Sequence, residues 1–210
     1  MQPLAPVLLA GRHVRLEPLA LAHVPGLLAA AAGPRETFLW TFVPAAEQAM
    51  HAYVEAALAD QREGRGIPFA TVDAGTGKVI GSTRFCNVER WPWPAGSPRL
   101  RPPGFADAVE IGYTWLHSSA QRSAINTEAK RLMLGHAFEA WDVHRVTLKT
   151  DERNARSRAA IERIGGRLDG LLRGHMPGSD GSVRTSAVYS IVASEWPSVR
   201  ARLDARLAAA

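Results

Sequence analysis

The sequence predicts an α/β protein with a mixed, mostly antiparallel central sheet flanked by helices on both faces. Three observations carry this expectation. Strand-like and helix-like segments follow one another in the order β-α-α-β-β-β-α-β-α-β-β-α. Two turn signals, DAGTG at 73–77 and PGSDGS at 177–182, sit between strand-like runs and read as hairpins. The strict βαβ alternation of a doubly wound dinucleotide fold is missing.

Each element has a local reason. In GRHVRLEPL (11–19), Val14 and Leu16 alternate with Arg15 and Glu17, the period of a strand. Residues 19–32 are rich in Ala and Leu and read as a helix that Pro25 interrupts and Gly33-Pro34 stops. In 47–63, Met50, Tyr53, Val54, Ala57 and Leu58 follow the i, i+3, i+4, i+7, i+8 spacing of a helix, which Gly64 and Gly66 end. Strands at 67–72 and 78–88 flank the first hairpin turn. RWPWPAGSPRLRPPGFADA (90–108) has five prolines and two tryptophans and reads as a long stiff loop, a feature that in a compact domain is usually functional. VEIGYTWL (109–116) is a strand, and HSSAQRSAIN (117–126) a turn. Residues 127–141 form the clearest helix, with Ala129, Leu132, Met133, Ala137, Phe138 and Trp141 on one face. A strand at 144–150 leads to a helix capped by Asn154 and closed by Gly165-Gly166. Strands at 167–175 and 183–192 and a short basic helix at 197–207 complete the chain.

Composition bounds the function. At 210 residues, 46% hydrophobic and 21% charged, the chain is expected to be one globular domain spanning 1–210. No run of about 18 apolar residues occurs, so no membrane span is expected. The start lacks a basic, apolar leader, and Cys86 is the lone cysteine, which together suggest a reducing cytoplasm. The net charge is +5, but only three of the 25 basic residues are lysine (Lys78, Lys130 and Lys149). The arginines are scattered rather than clustered. Specific nucleic-acid binding is therefore not expected, whereas a basic pocket for a phosphorylated small molecule is compatible with the charge.

The segment from Glu110 to Trp141 is the most informative. A turn feeding a helix start presents unpaired N–H groups and the positive end of the helix dipole, and so suits an anion. Arg122 adds a full charge there. The same segment equally describes an ordinary helix start carrying a surface arginine.

Three ordered motifs, VEIGYTWLHSSAQRSAINTEAKRLMLGHAFE, RVTLKTDERNARSRAAIERIGGR and SAVYSIVASEWPSV, together resemble the GNAT acyl-CoA N-acyltransferase superfamily, in its RimJ/RimL-type branch. The resemblance covers nearly the whole chain. It implies the GNAT fold, acetyl-CoA or another acyl-CoA as co-substrate, and an amine acceptor, either a protein N-terminus or a small molecule. The superfamily's pyrophosphate turn, Gln/Arg-x-x-Gly-x-Gly/Ala, corresponds here to residues 121–126. Arg122, Ser123, Ala124, Ile125, Asn126 and Thr127 would then bind pyrophosphate. Thr114, Trp115 and Leu116 would pair with pantetheine, Asn154 would lie on the pantetheine side, and Ser157 near the thioester sulfur. Ala124 stands where glycine is usual. A left-handed conformation there would be strained by its methyl, with Asn126 better suited to it. This leaves a second function class open, an acyl-CoA-binding module with weak or no catalysis.

Acyl transfer needs proximity, a donor to the carbonyl oxygen, a base for the amine and a proton for the leaving thiolate. A strand amide near Trp115 suits the carbonyl oxygen. Glu110 is the candidate base, or else a polar outward residue or a plain ion-pair partner for an arginine. Ser157 and Tyr189 are the candidate proton donors, with Ser157 preferred, since Tyr189 equally reads as a packed strand aromatic. His117, His136 and His175 are weaker candidates for chemistry. No metal-ligand spacing occurs, so no metal is expected. Cys86 reads as a packed strand residue, which favours direct transfer over a covalent intermediate. The acceptor is expected between the first two helices and the Pro/Trp loop. Trp40, Phe42, Trp91 and Trp93 either wall that site, anchor the loop or form a dimer contact, and the apolar loop is compatible with a homodimer. Arg99 and Arg101 argue against polyamines.

Overall fold

The computed structural model describes residues 2–210. Its strands are β1 (Leu9–Ala10), β2 (Val14–Pro18), β3 (Ile67–Asp73), β4 (Val79–Glu89), β5 (Ala108–Leu116), β6 (Arg145–Asp151), β7 (Arg167–Pro177) and β8 (Val183–Val192). Its helices are α1 (Val24–Ala31), α2 (Glu47–Arg62), α3 (Ala124–Gly135), α4 (Ala155–Arg163) and α5 (Trp196–Ala208). The strands form one sheet in the order β1-β2-β3-β4-β5-β6-β8-β7. Among the described residues only β5 and β6 pair in parallel.

The order of elements follows the sequence pattern, with three local differences. The first strand is split into β1 and β2. Glu128, reaching from α3, accepts the amides of Arg12, His13 and Val14 at 2.9, 2.6 and 2.9 Å and turns the chain there. Gly11 makes this approach feasible, since a Cβ would lie 2.4 Å from the Glu128 carboxyl carbon. Pro25 does not interrupt a helix. A 3-10 turn at Leu21–His23 precedes α1, and Pro25 sits in its first turn, where the missing N–H forfeits no helical bond. Finally, α3 begins at Ala124, three residues before the periodicity suggests, and runs into a π-helical turn at His136–Ala140.

Helices cover both faces of the sheet. Phe69 packs in an apolar cluster with Phe85, Met133, Trp141, Ile161 and Val199, residues of β4, α3, the following turn, α4 and α5. Its neighbour Ala70 points the other way, into a cluster with Leu27, Met50, Val54 and Trp115 under α1 and α2. Successive strand residues facing opposite layers is the alternation a sheet buried on both sides requires.

Two bulges shape the middle of the sheet. Between the pairs Ser82–Trp115 and Arg84–Gly112, β5 carries an extra residue, and Tyr113 there has φ of 51°. Between Cys86–Glu110 and Glu89–Ala108 the extra residue is on β4, and Asn87 has φ of 46°. The parallel ladder of β5 with β6 ends at Glu110–Thr147. Beyond that point β5 is unpaired on its β6 side.

Candidate functional site

A cleft of about 1580 Å³ opens where β5 leaves β6. It is lined by residues 110–116 of β5 and 148–150 of β6, by the turn before α3, and by Asn154, Arg156 and Ser157 at the start of α4. Tyr53, Asp60 and Arg84 line its other end, near α2. The volume exceeds the roughly 300–1,000 Å³ of a site for one small ligand and suits two molecules side by side.

The turn before α3 is arranged as an anion site. Among the described residues, no backbone acceptor takes the amides of Arg122, Ser123 or Ala124. Ser123 is the N-cap of α3. Its hydroxyl donates to the Ala120 carbonyl at 2.7 Å and accepts the Ile125 amide at 3.3 Å. Arg122, not Ala124, holds the left-handed conformation, with φ of 61°. Ala124 and Asn126 lie in the first turn of α3, so no glycine is needed at either place. The ground for expecting a weakened turn is thereby removed. Ile125 is a second correction: its side chain is buried in the core, it does not line the cleft, and its amide already serves the Ser123 cap. Arg122, Ser123, Ala124, Asn126 and Thr127 do line the cleft.

Thr114, Trp115 and Leu116 line the cleft with their strand, although the Trp115 ring itself is buried against Phe38 on the α1–α2 side. Asn154 caps α4 by accepting the Ser157 amide at 3.0 Å, so its carbonyl oxygen is engaged within the protein. Ser157 lines the cleft with its hydroxyl unbonded to any described residue. Arg156 bridges the cleft walls. It donates to Gln121 Oε1 at 3.0 Å and to the Thr37 carbonyl at 2.8 Å.

Glu110 is buried at the point where the strands part. Its Oε2 accepts Asn87 Nδ2 at 2.7 Å and pairs with Lys149 Nζ at 3.0 Å. The ion-pair partner is thus a lysine on β6, not an arginine. Gly112 makes room for the carboxylate, because a Cβ there would lie 2.9 Å from Glu110 Oε1.

Several candidates lie elsewhere. Tyr189 is fully buried outside the cleft, where it donates to Glu162 at 3.1 Å and accepts from Arg158 at 2.9 Å. It therefore does not face the cleft as a proton donor. His117 accepts the Ser119 amide in the turn after β5, and His136 packs on Phe85 and Trp141, where burial lowers its pKa. His175 bonds Ser186, and its pKa is lowered by burial and by the nearby Lys149 and Arg184. None of these three histidines lines the cleft. Burial pushes the Cys86 thiol far up, which keeps it protonated and poorly nucleophilic. Among the described residues, no group of three or more His, Cys, Asp or Glu is placed to hold a metal ion, and no helix is long and apolar enough to cross a membrane.

The four aromatic candidates divide. Trp40 and Phe42 line the cleft. Trp91 and Trp93 turn inward to anchor the Pro/Trp loop: Asp107 accepts the Trp91 amide and the Trp93 indole N–H, each at 2.7 Å, and both rings pack on His144. Arg101 is held at the same carboxylate, at 3.3 Å. The loop therefore uses both tryptophans as anchors.

Lys130 was not singled out by any motif. It is buried beneath the β5 bulge, where its Nζ donates to Thr114 Oγ1 at 2.7 Å and to Thr83 Oγ1 at 3.2 Å. No carboxylate pairs with it among the described residues, and burial lowers its pKa to about 7. One signal was present. Lys130 lies three and seven residues before Met133 and Ala137, on the face that the apolar pattern buries.

Residues 13–167 match the family described as the acetyltransferase (GNAT) domain. No match was found among curated proteins. Among solved structures, the chain is similar to a GCN5-related N-acetyltransferase from Brucella melitensis, with 27% identity over 98% of this chain and 87% of the other and a TM-score of 0.82. It is similar to a T. thermophilus protein assigned as an acetyltransferase, with 35% identity over 97% and 98% of the two chains and a TM-score of 0.77. It also resembles Mycobacterium smegmatis RimJ, solved in complex with CoA-disulfide, with 25% identity over 95% and 91% and a TM-score of 0.75.

Proposed function

The chain belongs to the acetyltransferase (GNAT) family, an acyl-CoA-dependent N-acetyltransferase, and from this premise we propose that its cleft joins acetyl-CoA and a primary amine directly, in a ternary complex. The acceptor is a protein N-terminus or a small amine. The observation that carries the reading is the parting of β5 from β6 at Glu110. It leaves an unpaired strand edge with a carboxylate at one end and the free amides of the α3 turn at the other.

These residues fit the co-substrate. The turn amides and Arg122 suit a pyrophosphate. The open edge of β5, residues 111–116, offers strand pairing to an extended chain that carries amides, as pantetheine does. Bound acetyl-CoA supplies the acyl group activated as a thioester. A strand amide near Trp115 donates to the carbonyl oxygen where negative charge develops. Asn87 and Lys149 orient the Glu110 carboxylate through Oε2, which leaves Oε1 to take the proton of the amine. The Ser157 hydroxyl donates to the departing sulfur.

Glu110→Gln tests the base. It preserves the size of the side chain and its bond to Asn87, and it removes the proton acceptor. Followed by free-thiol release on a panel of amines and peptides, kcat should fall by about 10²–10⁴-fold while calorimetry shows acetyl-CoA binding retained. A kcat within about threefold of the native enzyme at saturating amine overturns the role, since general-base removal is felt in the chemical step.

A further inference from the structure

We propose that Arg84 selects acceptor amines that also carry a carboxylate. The proposal rests on the reading that the amine is received at Glu110.

Arg84 is 5% exposed and lines the cleft. Its guanidinium lies over two tyrosine rings, 4.8 Å from the centroid of Tyr53 and 4.0 Å from that of Tyr113. The rings stabilise the cation. They cannot satisfy its five N–H groups, which point outward in the guanidinium plane. Among the described residues, these N–H groups make no hydrogen bond. Nε is sealed from solvent without a partner. The nearest carboxylate oxygen is Asp60 Oδ2, 3.9 Å from Nη1, and Asp60 is already held by Arg65 at 2.7 Å through Oδ1. Glu110 is likewise engaged, by Lys149. A buried guanidinium that makes no hydrogen bond is costly. Here it lines the cleft with its nearest carboxylate 3.9 Å away, so the hydrogen-bond acceptor it lacks is one the ligand brings. A planar carboxylate meets this fork in two parallel bonds.

The position sets the spacing. Arg84 pairs with Gly112 across the β4–β5 ladder, so Arg84 and Glu110 are diagonal neighbours on one face, roughly 7 Å apart at Cβ. Gly112 lies between them and puts no side chain in the gap. An amine at Glu110 therefore places a carboxylate a few bonds away at Arg84. An amino acid has this geometry, and so has a peptide N-terminus with an acidic residue at its first or second position. Tyr113 reaches its place over Arg84 because the bulge holds it in the left-handed region, where a tyrosine is strained.

The test compares matched acceptors that differ only in the carboxylate. These are Asp-Ala-Ala amide with Asn-Ala-Ala amide, Ala-Asp-Ala amide with Ala-Asn-Ala amide, and alanine with alaninamide. In kcat/KM from thiol release, at least one pair should favour the acidic member by about tenfold or more. That ratio should collapse toward one in Arg84→Gln and be partly kept in Arg84→Lys, which retains charge without the fork. The proposal is overturned if the native enzyme shows no acidic preference in any pair, or if the ratio survives in Arg84→Gln. Should no acceptor release thiol, the acetyl-transfer reading fails by itself. Calorimetry of the same pairs on CoA-loaded protein then decides for Arg84. An acidic preference lost in Arg84→Gln upholds the site, and equal affinities refute it.

Discussion

Lys130 holds its amine against two threonine hydroxyls beneath the bulge that shapes the cleft, with no counter-charge among the described residues. Folding moves its pKa from the ordinary lysine value down to about 7. The sign follows from proton binding. Between about pH 7 and the unfolded value, the unfolded chain binds more protons at this site, so stability rises with pH through that window. Below about pH 7 both states are charged, and the folded state bears the full cost of burial. Lys130→Met, which preserves volume and removes the charge, should raise the urea midpoint more at pH 6 than at pH 9. A midpoint lowered equally at both pH values would show that the threonine bonds outweigh the buried charge. At this scale the sequence was partly legible. Glu110 and Ser157 are in the cleft because strand and helix starts are local features. Arg84 and Lys130 were missed because their chemistry arises from burial, which a residue acquires only from neighbours distant in the chain.

Among the elements, the Pro/Trp loop is the one whose role the structure changes most. Asp107 holds it from within. That carboxylate is 3% exposed and gathers the Trp91 amide, the Trp93 indole and the Arg101 guanidinium. Asp107→Ala removes every one of these acceptors and breaks the buried Asp107–Arg101 ion pair. It should destabilise the protein by about 3–5 kcal/mol in urea melts. Limited proteolysis should then cut between residues 90 and 106, and an uncut loop would show that the prolines alone keep it ordered. The α3 start teaches a related lesson. Periodicity placed it at residue 127 because only later residues show the apolar face, whereas the Ser123 cap begins the helix at Ala124. Capping follows hydrogen bonds that a hydrophobic pattern does not register. The second hairpin was legible at both ends, because Asp180 accepts the Ser182 amide and hydroxyl within the turn itself.

Across the whole molecule, the cleft is closed by contacts between segments far apart in sequence. Arg156 ties the start of α4 to Gln121 and to the Thr37 carbonyl, Arg153 stacks on Trp40 at 4.4 Å, and Ser179 donates to the Leu39 carbonyl. Residues 35–42 thus form a wall attached from across the opening. Arg156→Ala should speed amide exchange in this segment several-fold and leave the core strands β5 and β6 unchanged, as local opening does. Unchanged exchange in 35–42 would assign the closure to Arg153 and Ser179. Local sequence was enough to set the order of strands and helices, both hairpins, the turn that leads into α3, and the family. These follow from periodicity, caps and turn residues, which act over a few positions. Tertiary packing settled where β5 leaves β6, which residues meet at Glu110, the inward turn of Trp91 and Trp93, and the burial of Arg84 and Lys130. Those outcomes depend on the register of strands and on helices packed from distant parts of the chain, where loop closure and core packing, rather than local preference, set the geometry.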